Sequence, residues 1–61
     1  MAYFVFLRES GKVEGIEWFS TLADALEFTP HTHAADILRD DYPYLRPVYR
    51  WDFEQQKWFN Y

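Results

Sequence analysis

Fourteen aromatic side chains, three Trp, five Tyr and six Phe, are packed into a chain of 61 residues that has no cysteine. That combination narrows the folds open to it. A chain this short lies near the lower bound at which a domain folds alone, and without cysteine neither a disulfide framework nor a thiolate metal site can help. Aromatic area must then be the main source of burial. Most of the rings are expected inside, leaving about two or three for any binding surface. The expectation is one compact domain over residues 1–61 with no linker.

The first run, Tyr3 to Leu7, is apolar on both faces, as a central strand is. Ser10-Gly11 offers a two-residue turn after it. That loop would set Glu9 opposite Lys12, Val5 opposite Ile16 and Tyr3 opposite Trp18. Tyr3, Val5, Leu7, Ile16 and Trp18 then share one face. Phe4, Phe6, Arg8, Val13 and Glu17 take the other, where Phe4 and Phe6 need cover of their own.

At Thr21 the period changes. Thr21 and Asp24, three apart, fit a capping box that starts a helix. Leu22, Ala25 and Leu26 form its apolar stripe, and Asp24 and Glu27 its wet side, over about Thr21 to Phe28. Thr29-Pro30 interrupts the pattern, since the residue before proline leaves the helical region while proline suits a first helical turn. The spacing predicts a second helix with Ala34, Ile37, Leu38 and Tyr42 inward, or one kinked helix across both stretches. Pro43 ends it, and Tyr44 to Pro47 reads as an extended connection before a final hairpin from Val48. The predicted fold is α+β: two hairpins in a small antiparallel sheet with helix on one face, in the order ββα(α)ββ.

The final hairpin has two parities. A loop of three or five residues sets Trp51 opposite Phe59 and leaves Trp58 on the face away from Tyr49, Trp51 and Phe53. A four-residue loop, Phe53 to Gln56, sets Asp52 opposite Lys57 and Trp51 opposite Trp58. An aspartate opening the turn favours the second.

No catalytic constellation emerges. The only serines are Ser10 in a turn and Ser20 at a helix start, neither in a nucleophile signature. So short a chain also has little room for a pocket. His33, Asp36 and Asp40 would line one face of a helix as metal ligands, but histidines in the first turn of an acidic helix ordinarily face solvent. The reading is therefore a non-enzyme with no metal and no cofactor.

The longest apolar stretch, Ala2 to Leu7, is too short to span a membrane, and the N-terminus lacks a signal pattern, so a cytoplasmic protein without a membrane partner is expected. Residues 1 to 45 hold Arg8, Lys12 and Arg39 against eight acids, while residues 46 to 61 hold Arg46, Arg50 and Lys57 against Asp52 and Glu54. An acidic body argues against duplex nucleic acid, whose phosphates need a basic face.

Aromatics ringed by charge point instead to protein binding, with Trp58, Tyr61, Arg50, Asp36 and Asp40 as the candidate contact residues. A small protein-binding module of this plain character is what accessory or inhibitor proteins of phages and other mobile elements look like. The alternative is single-stranded nucleic acid stacked on the aromatic, arginine-bearing C-terminal hairpin. Self-association through an unpaired edge strand, giving a homodimer, is the nearest variant of the first reading.

Overall fold

The computed structural model describes residues 2–61. Its strands are β1 (Tyr3–Glu9), β2 (Lys12–Phe19), β3 (Ala34–Asp41), β4 (Tyr44–Asp52) and β5 (Lys57–Asn60), and the helix α1 (Leu22–Glu27) lies between β2 and β3. All neighbours pair antiparallel in the order β2-β1-β3-β4-β5. The small α+β architecture is thus the predicted one, with one helix and a fifth strand where a second helix was expected. No helix among the described residues is long and apolar enough to cross a membrane.

β1 occupies the interior position that its two-sided apolarity requires, between β2 and β3. Ser10 and Gly11, both at positive φ (53° and 81°), close the first hairpin and set Glu9 opposite Lys12 as expected. Farther along, the register slips between Leu7 and Arg8, so Glu14 bulges out of β2. One extra residue moves everything beyond it to the opposite face. Val5 therefore pairs with Glu17 and Tyr3 with Phe19, in place of Ile16 and Trp18. Phe19 turns to the helix side, and Ile16 and Trp18 turn away from it.

α1 sits on the Val5 side of the sheet, started as read: Thr21 Oγ1 accepts from the Asp24 amide at 3.2 Å. Its Ala25 is fully buried, and Leu22 and Leu26 pack against the same core as Val5, Ala35, Ile37 and Trp51. After Phe28 the chain crosses on this side too, with Pro30 buried.

The second helix, or continuous helix, expected before Pro43 is corrected to strand β3 over Ala34–Asp41. Val5 pairs with Ile37 and Phe4 with Leu38. An interior β1 with only β2 beside it would leave a row of backbone donors and acceptors bare, and β3 satisfies them. Ala35 and Ile37 point into the core, while Asp36 and Asp40 project from the other face. The connection expected at Tyr44 to Pro47 is likewise part of β4, joined to β3 by a tight turn whose Tyr42-Pro43 bond is cis. Pro47 lies at a register shift opposite Leu38, where a missing amide is tolerated.

The last hairpin adopts the four-residue loop. Trp51 faces Trp58 and Asp52 faces Lys57. Asp52 Oδ1 accepts from the amides of Glu54 (2.9 Å) and Gln55 (3.2 Å), and Gln56 at φ 55° closes the turn.

Candidate functional site: the open face of the sheet

Alternation gives the sheet a second face with no helix on it. One cross-strand row reads Ile16, Phe6, Asp36, Arg50, Phe59 from β2 to β5, and the next reads Trp18, Phe4, Leu38, Pro47. Phe4 and Phe6 meet edge to face at 6.5 Å on the interior strand and are half-buried. Beside them Ile16 is 54% and Trp18 60% exposed, and Val13 continues the stripe along β2. Phe4 and Phe6, which needed cover, receive it only from their neighbours within the sheet.

Charge divides this face. Arg8 reaches across to Asp36, Nε to Oδ2 at 3.0 Å, with its guanidinium 5.9 Å from the Phe6 ring. At the far end Lys57 lies 4.9 Å over Phe59, beside an exposed Arg50. The β2 end is different: the bulged Glu14 lies between Val13 and Ile16, while Glu17, opposite Val5, leaves the same edge strand on the helix side. Both carboxylates are exposed, and neither joins an ion pair among the described residues.

Of the residues singled out from sequence, Trp58 belongs to the other face. Its ring packs against Trp51 at 5.1 Å, and its Nε1 donates to the Phe28 carbonyl at 3.0 Å, tying β5 to the chain beyond α1. Arg50 and Tyr61 come together with Asn60 around a cleft of about 200 Å³ at the β4–β5 end. Asp36 lies at the centre of the open face, held by Arg8. Asp40 stands apart, exposed opposite Leu45. The five candidates therefore do not form one site.

Among the described residues six aromatics are exposed, Trp18, Tyr42, Tyr44, Phe53, Phe59 and Tyr61, more than the two or three expected. A six-residue helix can cover only one side of a five-stranded sheet. Trp18 and Ile16, the centre of the apolar patch, fall on the Val5 face in the sequence reading because that reading has no bulge at Glu14. Gly15 in the middle of an edge strand was the available signal.

The histidine cluster supplies no helical ligand row. His33 pairs loosely with Glu9 at 3.9 Å and touches Thr32 Oγ1, while Asp36 and Asp40 lie on β3. No group of three metal-ligating side chains occurs among the described residues. At the opposite rim Asp41 links Arg39 and Arg46. Its hydrogen bond and charge hold the Arg39 guanidinium above its ordinary pKa.

Comparison with protein-family models, with curated proteins and with solved structures finds no match in any of the three. Fold and surface alone thus define the class: a small α+β domain presenting an uncovered aromatic sheet face.

Proposed function

We propose that this protein is a non-enzymatic docking module of the accessory or inhibitor kind, and that it binds a partner protein through the β1–β2 half of its open face. The supporting observation is Trp18, 60% exposed and flush with Ile16, Phe4 and Phe6 on a preformed sheet. A tryptophan at the centre of an apolar patch with charge around it has the composition of a binding hot spot. A rigid strand surface also loses little entropy on docking. Glu14, exposed at the edge of the patch, favours a partner whose own apolar patch carries a basic residue at its rim.

The test is affinity capture from source cells with the wild-type chain, Trp18→Ala and Tyr42→Ala as baits. Tyr42 is 94% exposed at the β3–β4 turn, away from the patch. A partner retained by Tyr42→Ala and lost by Trp18→Ala supports the reading, and one held equally by all three baits defeats it.

A second reading, single-stranded nucleic acid, draws on Lys57 over Phe59 with Arg50 alongside. Two cations and a ring are the elements of a stacking site. Against it stand the exposed acids Glu14 and Glu17 of β2, the Asp36 that already holds Arg8, and the net charge of −4. A salt titration separates the two, because binding to phosphates weakens steeply with salt whereas docking on an apolar patch does not.

A further inference from the structure

β2 is an open edge of eight residues, while the opposite edge, β5, has four. Long unpaired edges are usually blunted by charge, and β2 carries Lys12, Glu14 and Glu17. None of these three joins an ion pair among the described residues. Their spacing is self-complementary. We propose that two copies of this chain pair β2 to β2 in antiparallel fashion about a two-fold axis, with Lys12 opposite Glu17 of the second copy and Val13 opposite its Ile16.

A two-fold axis makes each contact occur twice, so the register is fixed by one sum of residue numbers. With Lys12 opposite Glu17, Val13 meets Ile16 and Glu14 meets Gly15. Side chains set opposite each other must also leave the same face. Val13 and Ile16 both lie on the open face, and Lys12 and Glu17 both lie on the helix side, because the bulge at Glu14 changes the parity between them. Without that bulge this register would place unlike faces together.

Other registers overlapping by six or more residues fare worse. Sliding by two residues sets Glu14 against Glu17, two like charges directly opposed. The one-residue slide between them puts Val13 against Glu17, on opposite faces, and the longer slides pair no opposite charges. In the proposed register Lys12 is bracketed by its own Glu9, already its cross-strand neighbour, and by the partner's Glu17. The pairing also joins the two open faces into one ten-stranded surface. It is independent of the docking reading, which rests on Trp18.

Sedimentation equilibrium over a wide concentration range tests this. The mass should rise from 7.5 kDa towards twice that value. Lys12→Glu and Glu17→Lys, both at exposed positions, should each weaken association by about tenfold or more, and the double swap should restore it. A monomer at every concentration overturns the proposal, as does a dimer that neither reversal weakens, or a double swap no tighter than the single variants.

Because the chain lacks cysteine, Val13→Cys and Ile16→Cys variants mixed and oxidised give a readout that does not depend on charge. In an equimolar mixture, mixed disulfides should far exceed the twofold excess over each self-linked form that random pairing gives. A statistical 1:2:1 ratio of the three linkages, or mainly self-linked forms, contradicts the register.

Discussion

Replacing Trp51 and Trp18 in parallel separates core from surface within one sheet. Trp51 is 6% exposed and Trp18 60%. Taking a tryptophan at about 250 Å² and 25 cal/mol/Å², Trp51 removes ~6 kcal/mol worth of area from water and Trp18 ~2.5 kcal/mol, both upper bounds because unfolded chains already bury some surface. Measured losses for buried Trp or Phe to Ala run at about 3–5 kcal/mol. A 61-residue chain has a total stability of only about 3–9 kcal/mol.

Trp51→Ala should therefore remove at least about a third of that stability and lower the urea midpoint far more than a change at Trp18. Trp18→Thr keeps a β-branched residue on the edge strand and should cost about 1–1.5 kcal/mol. Urea unfolding followed by far-ultraviolet circular dichroism gives both values. Equal losses, or a Trp51→Ala protein that melts near the wild type, would refute the assignment of faces.

Three smaller changes test individual devices of the fold. Trp58→Phe keeps the ring against Trp51 but strips the donor from the Phe28 carbonyl, so it should cost about 1–2 kcal/mol in the same unfolding assay. Thr21→Ala removes the N-cap of α1 and should cost ~1 kcal/mol, with Thr21→Ser nearly neutral. Ser10 holds φ 53° in the first turn, a conformation asparagine tolerates better, so Ser10→Asn should raise the midpoint by the equivalent of about 0.5 kcal/mol.

Legibility followed how local the signal was. The Ser10-Gly11 turn, the Thr21 cap and the Asp52-led loop depend on residues within a few positions of one another, and all three were readable. The stretch that forms β3 reads as helix from sequence because Ala34, Ile37, Leu38 and Tyr42 make a helix stripe. What decides for a strand is the demand of β1 for a second neighbour, a contact made across some thirty residues of chain. The Glu14 bulge left only an ambiguous glycine as its mark, yet it moves Ile16 and Trp18 from the core to the open face.

The docking surface was therefore legible only in part, through the observation that Phe4 and Phe6 needed cover. Trp18 emerged once the register was known. The C-terminal tail divides the other way, with Trp51 and Trp58 in the core and Phe53, Phe59 and Tyr61 exposed.

The most direct test uses the three tryptophan indole N–H signals in a ¹⁵N-labelled sample titrated with a soluble paramagnetic agent. The Trp18 signal should be strongly attenuated, while those of Trp51 and Trp58, one buried and one bonded to Phe28, should persist. Attenuation of Trp51 or Trp58 with Trp18 protected would contradict the placement of the open face and the function built on it.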